Sequence, residues 1–413
     1  MGKPVPNCLL LTPFPLAKPK HGGQVRAASM MAAMRMAGWH VDGVGLFLST
    51  FYPPEEWGPL DIVLESPELH AKALADTAFA DVHVARAASR DKAVVDTLRS
   101  LICRLAPDVI HVEHPWPWLP LREALPSSHQ IRLVYSSQNI EWSARRPLFR
   151  LGMKTATSEE MLAATRLLEE EFARTADLVL SISDIEAAEI ERTTERSVVY
   201  LAPVSDLASR DRQDSPLRFI GDARTAACRY VALMASDWLP NVEGFFSTFP
   251  DGLGFLAQDE QIWLAGTLGA AVRDDPRFQT FLGINKSRTR IVGFVEDGEK
   301  FDFLSSAECV IVPVTFGAGA KMKTADAIAS GRPVIATEHA VEGYGPIVQG
   351  ALGKGVYVAD TPRAFRRLVR QALRDGLPGC APEVRAQVSL ETLSKNWAHH
   401  ANHLLDRTQS TAH

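Results

Sequence analysis

Short runs of aliphatic and β-branched residues alternate along the chain with longer stretches of helical periodicity. CLLL (8–11) precedes a helical pattern from Val25 to Met36, and VDGVGLFL (41–48) follows it. A second pattern, Asp91 to Leu105, leads into VIHVE (109–113) and IRLVYSSQN (131–139), and a third, Ser158 to Arg174, into LVLSIS (178–183) and VVYLAP (198–203). Strands and helices taken in turn predict βα units. Because the strands are apolar almost throughout, both faces of each sheet are expected to be covered, the pattern of a parallel sheet.

Between 205 and 229 the pattern breaks. SDLASRDRQDSPLRFIGDARTAACR is charged, rich in Asp, Arg and Ser, and without a clear period, which marks a connecting segment. YVALMAS (230–236), IWLAG (262–266), RIVGFV (290–295), CVIVPV (309–314), PVIAT (333–337) and GVYVA (355–359) then begin a second series of strands. The sequence predicts an α/β protein of two doubly wound Rossmann-like domains facing a central cleft: 1–205, a linker over 206–229, and 230–385. A helical segment within 386–413 is expected to pack back on the first domain. Ligands of such sheets sit at the carboxyl ends of the strands.

The chain of 413 residues, 46% hydrophobic, is long enough for two such cores. Its net charge of −5 gives no general attraction to nucleic acid, and none is expected as a partner. Cys8, Cys103, Cys228, Cys309 and Cys380 are odd in number and widely spaced, the usage of reduced thiols, so a cytoplasmic location is expected. MGKPVPNCLLLTPFP lacks a signal peptide's long apolar core and cleavage site, and no run reaches the ~20 apolar residues of a membrane span. Any membrane contact is expected to be peripheral, at the inner face.

Three strand ends bear unusual residues. HGGQVR (21–26) places Gly22 and Gly23 at a helix start, where bare N–H groups receive an anion; the same residues also suit a plain tight turn. It is not a dinucleotide fingerprint, since the third glycine and the ribose-binding acid are absent. At the second strand end, His111 and Glu113 alternate onto one face of VIHVE and His114 onto the other, so the three make a poor metal set and no metal is expected. Glu141 stands just past a strand, either as an acid or base or as a carboxylate at a helix start.

The third end is GAGAKMKTADAIASGRPVIATEHAVEG (317–343). Lys321 and Lys323 stand where the positive end of a helix disfavours cations. Gly317 and Gly319 let a ligand approach the backbone, and lysines and dipole together favour a diphosphate-like anion. Asp326, about one turn beyond Lys323, can accept two hydrogen bonds from a vicinal diol; the alternative is a solvated lysine pair with Asp326 in a salt bridge.

Together GGQVR, VYSSQNIE, ADLVLSISDIEAAEI, SDWLPNVEG, IWLAG, IVGFVED and above all PVTFGAGAKMKTADAIASGRPVIATEHAVEG resemble the retaining glycosyltransferases of family 4, which have the two-domain GT-B fold. The resemblance implies a carboxyl-terminal domain that holds a nucleotide sugar and an amino-terminal domain that presents the acceptor, a glycan or lipid-linked molecule. It places Gly319, Lys321 and Lys323 at the donor phosphates, Asp326 at the ribose, and Glu342 and Gly343 beside the donor pocket. Gly22 and Gly23 would approach the diphosphate from the other domain. Lys321, Glu113 and His114 are the catalytic candidates, with Glu141, Arg145 and Arg146 on the acceptor side.

The sequence departs from the family at several points. Ala318 stands where a first acid often precedes the second by eight residues, and Asp326 replaces that second glutamate. MASDWLPNVEG lacks the Arg and Lys that many members carry, Gln138 takes a place often held by His, and Glu113 aligns with a frequent histidine, with His114 adjacent. A nucleotide-sugar epimerase or hydrolase and a non-catalytic sugar-nucleotide binder are the competing readings. SARRPLFRLGMK (143–154) interleaves Arg145, Arg146, Arg150 and Lys154 with apolar residues and is expected either to touch an anionic membrane or to be an ordinary surface helix.

Overall fold

The computed structural model describes residues 5–126, 128–150, 157–210, 228–317 and 319–409. Ala318, residues 211–227 of the expected linker and residues 151–156, which include the end of the basic segment, lie outside the described residues. The chain divides into two compact units, Met1–Ala202 with Leu393–His413, and Pro203–Thr392.

In the first unit seven strands form one parallel sheet: β1 (Asn7–Thr12), β2 (His40–Leu48), β3 (Ile62–Leu64), β4 (Val109–Glu113), β5 (Arg132–Ser137), β6 (Leu178–Ser181) and β7 (Val198–Tyr200). Their order is β3-β2-β1-β4-β5-β6-β7. Leu9 and Leu11 of β1 join Ile110 and Val112 of β4 in one buried cluster. Leu10, which alternates to the opposite face, is equally buried, so both faces are covered, as nearly unbroken apolar strands require.

The helix Leu390–Gln409 belongs to the first unit from Leu393 onward. Trp397 is fully buried there and meets the rings of Trp39 at 5.7 Å and His111 at 5.3 Å, both edge-on. The helix thus covers the sheet face that bears His111. The unit boundary falls seven residues later than the expected 386 because the sequence pattern shows no break at the crossover.

The second unit is a six-stranded parallel sheet: β8 (Arg229–Met234), β9 (Glu260–Ala265), β10 (Thr289–Gly293), β11 (Cys309–Val312), β12 (Val334–Thr337) and β13 (Val356–Ala359), in the order β10-β9-β8-β11-β12-β13. The helix Leu239–Thr248 packs close to the end of β11. A Cβ on its Gly244 would lie 1.9 Å from the Pro313 carbonyl oxygen, so only glycine allows that approach.

In each unit the strand order reverses once, between β1 and β4 and between β8 and β11. At such a point neighbouring loops part and leave room for a ligand. Replacing Trp397 by Ala is expected to destabilise the first unit by about 3–5 kcal/mol, the cost of emptying a large aromatic site. Urea unfolding followed by near-ultraviolet circular dichroism would measure it; a change below about 0.5 kcal/mol would show that the helix is not part of that core.

Candidate active site

The loops at the second unit's reversal are the one after β8, Ala235–Trp238, and the one from Pro313 to Lys321 after β11. Gly317 and Gly319 take left-handed φ values of 114° and 69°, which side chains resist. They bring the chain to the helix Met322–Ala329. Lys321 is its N-cap residue; no side chain caps it and no acid stands in the first turn. Orphan N–H groups at such an end attract an anion.

Lys321 departs from the expectation of a solvated side chain. It is buried, and its Nζ donates to the carbonyl oxygens of Gly317 at 2.9 Å and Gly319 at 2.6 Å, with Glu342 4.0 Å away. His339 reaches the same turn: its Nε2 lies 2.6 Å from the Gly317 oxygen and its Nδ1 2.7 Å from the Glu342 carboxylate. The Tyr344 hydroxyl donates to the Lys321 carbonyl at 2.9 Å. The loop carbonyls are therefore gathered onto one ammonium, and the planar trans peptide that points the Gly319 oxygen inward turns the Ala320 N–H the other way.

Lys323 donates to Asn241 Oδ1 in the loop-and-helix segment after β8, and Asn241 in turn donates to the Ser236 carbonyl. Burial, and secondarily the charge of Lys321, pushes the Lys323 ammonium down to about 8. Asp326, half-buried, accepts from the Ser205 hydroxyl at 2.6 Å, where a salt bridge to the lysines was the alternative. Burial pushes its carboxyl up to about 6 despite that bond. Gly343 has φ 85° beside the half-exposed Glu342. Strand ends also carry two aromatic side chains the sequence reading passed over, Phe294 after β10, 83% exposed, and Trp238 after β8, 62% exposed.

In the first unit the reversal brings together the ends of β1 and β4. His21 caps the helix Gly22–Met36 in a capping box with Gln24, so Gly22 and Gly23 are the first residues of the helix rather than a separate turn. Burial, and next the nearby His114, lowers the His21 imidazole to about 4. Gln138 Nε2 donates to the Gly23 carbonyl at 3.2 Å and to Glu113 Oε2 at 2.8 Å. His111 holds the other oxygen of Glu113 at 3.0 Å. Burial alone would raise Glu113, but the His111 bond and charge, with Arg26 and Gln138, outweigh it and keep the carboxyl at about 2. Glu113 is fully buried with both oxygens engaged, which suits a positioning carboxylate better than the catalytic role expected of it.

His114 has a left-handed φ of 64°, which carries its ring off the strand and onto Glu141 Oε1 at 2.9 Å. Burial opposes its protonation, but the Glu141 bond and charge prevail and raise the imidazole. Arg145 is turned inward rather than toward a surface: it pairs with Glu141, donates to the Ala78 carbonyl at 2.8 Å, and lies over the Trp116 ring at 4.7 Å. Arg146 is exposed against Trp142. The expected basic face of 143–154 therefore loses Arg145 to the interior. Glu169, missed in the sequence, accepts the N–H groups of Glu141 at 2.8 Å and Trp142 at 3.1 Å. Burial, and then the charge of Glu141, raises it to about 8. Among the described residues no three His, Cys, Asp or Glu side chains converge on a metal position.

Residues 231–375 match the family described as Glycosyl transferases group 1, and residues 21–201 match the Glycosyl transferase 4-like domain. Sucrose-phosphate synthase from Thermosynechococcus elongatus superposes with a TM-score of 0.68 at 13% identity, over 97% of this chain and 100% of that one. WaaG, a glycosyltransferase involved in lipopolysaccharide biosynthesis, gives 0.57 at 14%, over 97% and 98%. Anabaena HepE in complex with UDP gives 0.55 at 15%, over 98% and 100%. These identities speak for the fold. No curated protein matches the sequence. The two parallel-sheet units are those of a GT-B glycosyltransferase. With one such match in each unit, the chain belongs to the glycosyltransferases that pair these two domains.

Two outcomes are expected. A folded pKa of about 8 for Glu169, above its unfolded 4.5, means that folding takes up a proton, so this stabilisation is complete below pH 4.5 and lost as pH rises through 8. The melting temperature should fall from pH 6 to 9 in the wild type and much less in Glu169→Gln; parallel curves would refute the assignment. Lys321→Ala should lower the melting temperature by several degrees, since it strands two loop carbonyls, and an unchanged melting curve would show that the lysine is not structural.

Proposed function

We propose that the protein transfers a sugar, with retention of anomeric configuration, from a nucleotide sugar bound by the second unit to a glycan or lipid-linked acceptor bound by the first. The observation that carries this reading is the uncapped helix start after β11, whose preceding carbonyls are drawn away by Lys321 and His339. An anion approaching there meets N–H groups and the Lys323 ammonium, while the Gly317 and Gly319 carbonyls are already engaged.

The diphosphate would rest on the first-turn N–H groups and on Lys323, the ribose diol on Asp326, and the base against Phe294. Glu342 and Gly343 would border the sugar. As the glycosidic bond breaks, charge builds on the leaving phosphate, where preorganised donors in a partly dry site stabilise it. The same phosphate then takes the proton of the attacking hydroxyl on the face the leaving group departs from, which gives retention. In the first unit the Gly22 and Gly23 N–H groups offer an anion site at a helix start. His114, oriented by Glu141, supplies a positioned donor toward the acceptor side, and Arg146, exposed over Trp142, a further cation there. Lysine and N–H groups supply the charge that a divalent ion would otherwise bring, so transfer should proceed without metal.

The test is release of nucleoside diphosphate from a panel of nucleotide sugars, with and without acceptor extracts, and proton NMR of the product anomer. Acceptor-dependent release with a retained anomer is expected, unaffected by EDTA. Release without acceptor would favour an epimerase or hydrolase, and binding without turnover a sugar-nucleotide binder. Lys323→Met should weaken nucleoside diphosphate binding about 10- to 100-fold, the worth of one charged hydrogen bond. Because the ammonium deprotonates near pH 8, wild-type affinity should fall above that pH and the variant's should not. Equal pH profiles would remove Lys323 from the site. Asp326→Asn should weaken nucleoside diphosphate but not pyrophosphate; equal losses would remove the ribose contact.

A further inference from the structure

The helix Pro362–Arg374, PRAFRRLVRQALR, packs on the second unit through Phe365, Val369, Ala372 and Leu373, all buried. Its other face is arginine. Arg363, Arg367, Arg370 and Arg374 follow at steps of four, three and four, which places them in one stripe along the axis. Eleven steps of 1.5 Å make the stripe about 16 Å long. All four are exposed, and among the described residues none of their side chains makes an ion pair or hydrogen bond. The fifth, Arg366, is different: it holds Asp251 at 2.8 Å. Asp360 and Asp375 flank the stripe only at its ends.

A chain of net charge −5 thus concentrates four unpaired cations on one helix face. Like charges at helical spacing repel, so the row costs stability and calls for a function outside the fold. We propose that this face docks the protein on an anionic lipid bilayer. A folded protein partner needs an apolar centre from which water is excluded. None exists here, because Ala364 and Leu368 between the arginines and Phe255 beside them are half-buried. A fluid plane of mobile anionic headgroups needs only summed charge, with no fixed register, and unrestrained arginines supply it. The site is separate from the donor residues, so the proposal stands or falls independently of the transferase reading.

Co-sedimentation with vesicles tests it. The wild type should pellet with phosphatidylglycerol–phosphatidylcholine vesicles at low salt, stay in solution with pure phosphatidylcholine, and be released by high salt. Changing Arg363, Arg367, Arg370 and Arg374 together to Gln should lower the partition coefficient about fivefold per residue, several-hundredfold in all. The same four positions changed to Lys should keep the binding, because charge rather than a guanidinium fork is what the surface reads. Circular dichroism melting verifies that each variant is folded, as exposed, unpaired side chains lead one to expect. Equal partitioning of the wild type and the Gln variant would overturn the proposal. Binding of the wild type to soluble polyphosphate or to an acidic protein, with none to anionic vesicles, would overturn it in favour of that partner.

Discussion

A lysine ammonium bound by two carbonyl oxygens of the turn just before it is the interaction on which the second unit's chemistry depends. Lys321 bonds the Gly317 and Gly319 oxygens, and His339 reaches the first of them from the segment after β12. Without these contacts a left-handed glycine turn would present its oxygens and N–H groups indifferently, and an oxygen facing a phosphate repels it. With them, the polarity of the turn is set before any ligand arrives. Preorganisation of this kind spares the reorganisation that water would have to undergo around a growing negative charge.

The first unit follows the same rule with side chains in place of carbonyls. Glu113 and Glu141 are buried carboxylates, and each remains ionised because a histidine, with Gln138 or Arg145, takes its oxygens. Glu169 accepts two backbone N–H groups instead, and burial, with the neighbouring charge of Glu141, raises it against the pull of Arg145. Three buried carboxylates within one network thus divide into two charged and one that titrates near neutrality. The network fixes the left-handed His114 and the start of the helix Glu141–Arg150.

Much of the fold was legible because parallel strands covered on both faces are almost wholly apolar. The strands at 8–11, 109–113 and 309–314 were visible for that reason, and so was the restart after the charged segment. The helices Pro67–Ala75 and Ala80–Arg90 were not read from the sequence, since the polar and apolar residues there carry no strong boundary signal beyond Ser66. Contacts distant in sequence stayed hidden. Arg145 read as a surface cation because Ala78 and Asp81, 67 and 64 positions away, draw it inward. Asp326 meets Ser205 across 121 positions. Lys321 was visible as a lysine near glycines, but its partners are backbone oxygens, which no side-chain pattern records. His339 could have been found, since it stands three residues before Glu342 at a strand end, the spacing of a helical pair.

The central claim is that N–H groups at the start of the helix Met322–Ala329 receive the donor diphosphate. Protein labelled with nitrogen-15 at lysine and methionine, titrated with a nucleoside diphosphate and followed by NMR, tests this most directly. The backbone amides of Met322 and Lys323 should shift downfield together, saturating at the affinity measured by calorimetry. Nucleotide binding that saturates while both amides stay in place would contradict the account.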